Sequence, residues 1–210
     1  MDTKEIQKFS RRLDELRQEV KLLDPRILAR NTSCELQSKD DGSIIFRLKY
    51  WDSNVDIPYQ SLEATRANDI KVLPLIDQTM LMYYFSCASG NRMSGRWISF
   101  AELPDGRFYN QAFQGYTGQA LYRHFGDQGK RFKAAAERLN GTLFPLGDAS
   151  YIFRALPCVP LLVVFWQGDE DFSSSYQLLF DAVASEYLPT DAYAILGSGL
   201  TRRLIKANST

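Results

Sequence analysis

The sequence predicts an α+β fold in which antiparallel β-hairpins form a sheet packed with helices, preceded by an N-terminal amphipathic helix. Paired runs of alternating apolar and polar residues, separated by turn residues, are typical of hairpin strands. Runs with three- and four-residue apolar spacing lie between them, without the regular strand–helix alternation of a parallel sheet. We therefore expect a helical appendage over residues 1–30 and a single α+β domain over residues 31–210.

An apolar stripe at helical spacing predicts the first helix. Its members are Ile6, Phe9, Leu13, Leu16, Val20 and Leu23. Pro25 is expected to end this helix, because a proline ring disfavours helical backbone in the residue before it. The stripe is expected to pack against the parent domain. The alternative is pairing with another chain, so the helix is also a candidate for mediating association.

The middle of the chain predicts a strand, a central helix and a hairpin. Residues 44–51 alternate as a strand does, and residues 73–88 are apolar around the whole helix axis, which is typical of a buried helix. The turn sequence Leu103-Pro104-Asp105-Gly106 separates residues 97–100 from residues 107–109. Proline followed by Asp-Gly favours a tight turn, so we predict a hairpin there.

The last third predicts a second hairpin followed by two helices. Residues 151–155 and 161–166 flank a proline-containing reversal, and the second of these runs is apolar on both faces, as in an interior strand. Helices are predicted from about Ser174 to Tyr187 and from Asp191 to Lys206. The acidic triplet Asp169–Asp171 would then join the interior strand to the first of these helices.

Composition and cysteine usage exclude several classes of protein. Lys+Arg and Asp+Glu both total 25, so the formal net charge is +0. The chain therefore lacks the overall positive charge that favours binding to nucleic acid or to an acidic membrane. The three cysteines are isolated from one another, which disfavours an iron–sulfur cluster, a thiolate zinc site or a disulfide-framed secreted domain. The longest apolar run, residues 159–166, is too short to span a bilayer. We expect a cytoplasmic protein with neither a nucleic-acid nor a membrane partner.

The acidic triplet poses the main question of chemistry. An EF-hand loop starting at Asp169 would need Gly at its sixth position and Glu at its twelfth, where Ser174 and Phe180 stand, so no calcium site is expected. We predict instead that Gly168 permits a turn and that Asp171 or a following serine accepts the free amides of a helix start, where the helix dipole favours the negative charges. Because loops after interior strands often carry function, Asp169 and Glu170 stay candidate ligand-binding residues.

His124 is the sole histidine, so any catalytic triad, histidine general base or axial ligand to a tetrapyrrole metal must use it. It lies near a predicted helix end, where an ordinary surface imidazole is common. Both interpretations stay open. The sequence contains neither GxGxxG nor GxxxxGK[ST], so a phosphate-binding loop of those kinds is absent.

Several motifs together resemble the DUF3786 family, a domain of unknown function found in bacteria and archaea. They are Trp97-Ile98-Ser99-Phe100 with Glu102-Leu103, then Gly147-Asp148-Ala149, Leu156-Pro157-x-Val159-Pro160-Leu161, and "FWQGDEDFSSSYQLLFD". The resemblance implies an accessory role associated with a cofactor, because family members occur largely in anaerobes, some with corrinoid-dependent metabolism. The resemblance implies no particular catalytic residues. Some relatives are labelled iron–sulfur proteins because a cysteine-rich segment accompanies the domain, and this chain lacks that segment.

The residues and the resemblance support three functional hypotheses. The first is a non-catalytic accessory protein that binds a tetrapyrrole-like or corrinoid cofactor, or a protein subunit, where Trp97, His124, Asp148, Asp169 and Glu170 converge. The second is an enzyme that uses Asp148, Asp169 or Glu170 for acid–base chemistry, with Arg96 as an anion clamp. The third is a structural interaction module that adheres through the N-terminal stripe.

Overall fold

The computed structural model describes residues 3–69 and 71–208, which fall into two compact units. The first unit comprises Met1–Arg92, Leu156–Cys158 and Glu186–Pro189. The second comprises Met93–Ala155, Val159–Ser185 and Thr190–Thr210. An α+β fold with antiparallel hairpins and an N-terminal helix is confirmed, with the strands divided between two sheets. The division into an appendage over residues 1–30 and a single domain over 31–210 stays a prediction.

Over its described residues, the first unit combines three α-helices with a four-stranded antiparallel sheet. Its elements are α1 (Thr3–Lys21), α2 (Pro25–Thr32), β1 (Glu35–Ser38), β2 (Ile44–Tyr50), β3 (Ser53–Pro58), β4 (Thr65–Arg66) and α3 (Leu75–Cys87). The strands follow one another in sheet order β1-β2-β3-β4. Each strand therefore pairs with its neighbour in sequence, as the short turns between them dictate.

Helix α3 is the centre of this unit, as its all-round apolar sequence predicts. Its residues Leu81 and Met82 are fully buried, and Phe85 meets Phe46 of β2 edge to face at 5.0 Å. Tyr84 donates its hydroxyl to the carbonyl of Thr32 at 2.7 Å. Sheet and helix thus share one core in this unit.

The N-terminal stripe is buried within the first unit. Leu16 and Val20 of α1 are completely buried and Leu13 nearly so, and α1 packs along α3. The predicted packing against the parent domain is therefore confirmed. Leu23 at the end of the stripe is exposed, because the helix ends at Lys21. Pro25 opens the first turn of α2, which Asp24 caps by accepting the amide of Arg26 at 2.7 Å.

The second unit combines a five-stranded sheet with four α-helices among its described residues. Its elements are β5 (Trp97–Ser99), a 3-10 turn (Phe100–Glu102), α4 (Gly106–Tyr116), α5 (Gly118–Phe125), α6 (Gly129–Arg138), β6 (Thr142–Leu143), β7 (Ala149–Leu156, whose last residue belongs to the first unit), β8 (Val159–Trp166), β9 (Ser175–Asp181), a 3-10 turn (Ala184–Glu186, shared between the units) and α7 (Thr190–Asn208). The sheet order is β5-β9-β8-β7-β6.

Strand β8 lies in the middle of this sheet and is buried from Val159 to Phe165, as its double-faced apolar sequence predicts. Phe165 points to the helical side, where its ring lies 6.3 Å from Phe132 of α6. Val164 points to the opposite side, against Gly147 of the segment before β7. The helices therefore cover one face of the strand at Phe165, and the segment before β7 covers the other face at Val164.

Two sequence predictions in this unit are wrong. The turn at Pro104-Asp105-Gly106 leads into helix α4 and not into a second strand, because Phe113 on that helix stacks on Phe100 with ring centroids 4.0 Å apart. Residues 175–181 form strand β9 and not the start of a helix. Tyr176, Leu178 and Phe180 alternate inward along β9, and this two-residue period outweighs the helix propensity of the neighbouring residues.

Asp181 is a buried carboxylate that ties the start of β5 to the end of β9. It is 3% exposed and accepts hydrogen bonds from the amide and hydroxyl of Ser94 and from the amides of Gly95 and Val183, at 2.8–3.1 Å. Burial by itself would raise the pKa of this carboxyl, but the hydrogen bonds outweigh burial and the pKa is lowered. The ionised form is therefore stabilised by folding.

We predict that Leu16→Ala lowers the free energy of unfolding by about 2–5 kcal/mol, because it leaves a cavity between α1 and α3. Leu22→Ala is the matched control: this leucine is 87% exposed, and its truncation should change stability by no more than about 0.5 kcal/mol. Urea unfolding followed by circular dichroism measures both. Equal effects of the two substitutions would contradict the packing of α1 on its own unit.

We predict that Asp181→Asn destabilises the protein by about 2–3 kcal/mol at pH 7, since four donors lose a charged acceptor. A carboxyl with a lowered folded pKa stabilises above its unfolded pKa, about 3.9, and loses that contribution as pH falls through the folded pKa. The difference between wild type and variant should therefore shrink below about pH 4 in urea titrations. A difference independent of pH, or the same loss in the exposed control Asp40→Asn, would contradict this role.

Candidate functional site

The acidic triplet lies at the tip of a β-hairpin. Residues 167–174, here called the acidic loop, connect β8 to β9. The predicted capping of a helix start is wrong, because the next element is a strand. The carboxylate that accepts backbone amides is Asp169 and not Asp171: Asp169 Oδ1 accepts from the amides of Asp171 and Phe172, both at 2.9 Å. The triplet thus organises a turn of the hairpin.

The acidic loop is held in one conformation by its own short contacts. The amide of Gly168 donates to the buried hydroxyl of Ser174 at 2.7 Å, and the amide of Asp169 donates to the carbonyl of Phe172 at 2.9 Å. A Cβ on Gly168 would lie 2.4 Å from that carbonyl oxygen, so a glycine is required there. These bonds turn the side chain of Phe172 outward, where it is 74% exposed.

An open hollow of about 330 Å³ lies between the acidic loop and the end of α5. Its lining residues are Tyr122, Asp127, Gln167, Gly168, Asp169, Glu170, Asp171, Phe172 and Ser173. Four of these residues are carboxylates and none is a cation. The hollow is therefore an acidic recess. Each of its two walls contributes one aromatic side chain, Tyr122 from α5 and Phe172 from the acidic loop.

Tyr176 fixes the position of the α5 wall. Its hydroxyl donates to the carbonyl of Gly126, the residue that ends α5, at 3.1 Å. Burial raises the pKa of Tyr176, and the negative charge of Asp127 raises it further, so the hydroxyl stays a proton donor. Tyr122 and Asp127 are thereby held opposite the acidic loop.

The structure brings some of the candidate ligand-binding residues together and leaves others apart. Asp169 and Glu170 line the hollow. Asp148 lies beside the acidic loop, since its Oδ2 accepts the amide of Gln167 at 2.7 Å, but it is not among the residues that line the hollow. His124 is half-buried, and its Nε2 lies 3.0 Å from the amide nitrogen of Asn208 on α7. The convergence of all five candidates stays a prediction.

Trp97 belongs to a different surface. Its ring meets Phe144 edge to face at 5.7 Å, and Phe144 is held by a hydrogen bond between its carbonyl and the hydroxyl of Ser150 at 2.7 Å. The indole Nε1 of Trp97 is buried and has no hydrogen-bond partner within the described residues. Trp97 therefore covers the sheet face opposite the helices, near the segment that carries Asp148.

Sequence reasoning missed an aromatic surface on α4. Phe108, Tyr109 and Tyr116 are 85%, 65% and 39% exposed, and with Ala112 they share one side of the helix, here called the α4 face. Phe113, on the adjoining side, is fully buried and anchors the helix. The four-residue recurrence at 108, 112 and 116 was the available signal, hidden by the assignment of residues 107–109 to a strand.

A short connection joins α4 to α5, the helix that forms one wall of the hollow. Helix α4 ends at Tyr116 and α5 begins two residues later, at Gly118. The guanidinium of Arg123 donates to the carbonyl of Gly115 at 2.7 Å, which holds the two helices together. Tyr122, 37% exposed, lies on α5 and lines the hollow. Exposed aromatic side chains therefore lie both on α4 and, at Tyr122, on the α5 wall of the hollow.

The described ranges 3–69 and 71–208 contain no group of three or more His, Cys, Asp and Glu side chains arranged to hold a metal ion. Within the same ranges, every helix is too short or too polar to cross a lipid bilayer. Cys34, Cys87 and Cys158 are free thiols. The carboxylates and aromatic rings that line the hollow can make ionic, hydrogen-bond and aromatic contacts with a ligand.

Comparison with known proteins gives a family and no named relative. A family model described as a domain of unknown function, DUF3786, matches residues 24–203 of the 210-residue chain. The match confirms the resemblance drawn from the sequence motifs, and it begins at the residue that caps α2. No curated protein and no solved structure matches the chain.

We predict that Gly168→Ala destabilises the second unit by about 1–3 kcal/mol, because the added Cβ meets backbone atoms of Phe172 and Ser174 that cannot move independently. Gly115→Ala is the matched control. Its Cβ would meet nothing within 4 Å, and alanine favours a helix over glycine by up to about 1 kcal/mol. Urea unfolding measures both, and a neutral Gly168→Ala would contradict the tight turn.

Proposed function

We propose that this chain, which belongs to the DUF3786 family, is a non-catalytic accessory protein that binds a protein partner through the α4 face. The observation that carries the proposal is the exposure of Phe108, Tyr109 and Tyr116 on one side of a helix whose other side is buried. Contiguous exposed aromatic surface is uncommon on proteins that act alone and is enriched at protein interfaces.

The hydrogen bonds of the candidate residues favour binding over turnover. An acid–base enzyme needs a carboxyl that is free to exchange protons with a substrate. Asp148 and Asp169 instead accept backbone amides of the acidic loop. Among the described carboxylates, each one whose pKa is shifted has it lowered, which is the opposite of what a general acid requires: Glu15, Asp41, Glu102, Asp181 and Glu186.

The cofactor hypothesis keeps one observation in its favour. The hollow has the volume of a small-molecule site. Its lining is mostly polar and its mouth is open, however, whereas a tetrapyrrole ring needs an apolar slot. The one imidazole that could serve as axial ligand is engaged with Asn208. We therefore place a tetrapyrrole-like or corrinoid cofactor second, and a cytoplasmic location stays a prediction.

The N-terminal stripe is a weaker candidate for adhesion than the α4 face. Leu13, Leu16 and Val20 are already buried within their own unit, so the middle of that stripe is closed to a partner and only its two ends are exposed. By contrast, the α4 face loses no contact of its own unit when a partner covers it. This difference in burial supports the α4 face as the docking surface.

A photo-crosslinking phenylalanine analogue at position 109 or 116 tests the proposal in living cells. We expect the same adduct at both positions, identified by mass spectrometry, because one partner covers the whole α4 face. Leu143 is the control, since it is 70% exposed in the same unit but lies on β6. No adduct at 109 and 116, or the same adduct at 143, would disprove the proposal. A chromophore on the anaerobically purified protein would favour the cofactor instead.

A further inference from the structure

We infer that the occupant of the α4 face is a basic amphipathic helix, which packs apolar residues on Phe108, Tyr109 and Tyr116 and places a Lys or Arg side chain in the hollow. This inference rests on the proposed function and adds the chemistry of the partner. Two features of the second unit support it: the exposed aromatic surface belongs to helix α4, and the hollow between α5 and the acidic loop is lined by carboxylates.

The helical surface selects how a partner docks. Inside a helix the backbone amides and carbonyls are paired with each other, so the α4 face offers side chains and no backbone hydrogen bonds. A partner strand gains its affinity from backbone pairing and would find none here, whereas an amphipathic helix needs an apolar stripe. From Phe108 to Tyr116 the stripe is about 12 Å long, which matches a little over two turns of a partner helix.

The hollow selects the charge of the partner. Its carboxylates, Asp127, Asp169, Glu170 and Asp171, face no cation among the residues that line it. Tyr122 and Phe172 lie on the two walls with their rings partly exposed, and aromatic rings attract Lys and Arg heads. A partner carboxylate would be repelled there, so charge complementarity favours a cationic side chain.

Neither Arg107 nor Arg123 is among the residues that line the hollow. Arg123 keeps its positive charge, and its guanidinium donates to the carbonyl of Gly115 at the end of α4. Arg107 lies on the helix flank away from Tyr109, at the end of α4 remote from the hollow. The cationic residue of the occupant is therefore expected at the end of its apolar stripe that lies next to Tyr116.

Three synthetic peptides of about 18 residues, long enough for five helical turns, test the inference. One carries Leu and Lys at amphipathic helical spacing, the second carries Leu and Glu at the same spacing, and the third is the first with its order permuted. Titration calorimetry with the full chain at about 50 mM and about 300 mM salt gives affinities. Backbone amide shifts locate the bound peptide.

We expect the Leu/Lys helix to bind at least tenfold more tightly than either other peptide, more weakly at the higher salt, and to shift amides of α4 and the acidic loop. Glu170→Gln with Asp171→Asn should weaken that binding about fivefold or more, because both carboxylates line the hollow. Asp40→Asn with Glu63→Gln is the matched control: it removes the same charge from exposed positions of the first unit and should change affinity less than twofold.

The failure of this inference differs from the failure of the proposed function. Equal or tighter binding of the Leu/Glu or permuted peptide, no binding of the Leu/Lys helix, or no effect of the hollow variant overturns the basic helix. Phe108→Ser with Tyr109→Ser should abolish binding of the Leu/Lys helix; if it does not, the docking face itself is wrong. Self-association of the chain that this double variant abolishes would identify a second copy as occupant and would also overturn the inference.

Discussion

The second unit depends on one constraint, which is that strand β8 carries apolar side chains on both faces. Seven consecutive residues, from Val159 to Phe165, are buried. Such a strand must lie inside a sheet, and both faces of that sheet must be covered. Helices α5, α6 and α7 cover one face through aromatic contacts with β8 and β9. Part of the other face is covered by the segment before β7 at Gly147 and by Phe144 with Trp97.

The same constraint explains where the polar chemistry lies. Because the interior strand tolerates no polar side chain, the carboxylates collect where the strand ends, in the loop that returns to β9. There the backbone groups of a tight turn need partners, and Asp169, Ser174 and Asp148 supply them. Glu170 and Asp171 are left to face the hollow. Some residues of this loop and its surroundings thus hold the turn together, while their neighbours Glu170 and Asp171 remain available to contact a ligand.

The limits of sequence reasoning are clearest at α4 and β9. At β9 the alternation of Tyr176, Leu178 and Phe180 was present in the sequence, but the serines before it also suit a helix start. The choice between strand and helix is made by the free edge of β8, which residues 175–181 cover by pairing with it as a strand. At α4 the strong turn residues were interpreted correctly, but a turn does not specify the type of the next element. The stacking of Phe113 on Phe100 decides in favour of a helix, and no local pattern reveals that contact.

The sequence by itself determined the α+β class, the amphipathic first helix, the central helix α3, the interior strand β8 and the family, because each depends on local periodicity or on contiguous motifs. Only the tertiary structure decided that α1 is packed into its own unit, that the acidic triplet turns a hairpin, that α4 exposes an aromatic face, and that α5 and the acidic loop enclose a hollow. Those features join residues far apart in the chain. A pattern of neighbouring residues encodes which side of a segment is apolar, but not which other segment comes to cover it.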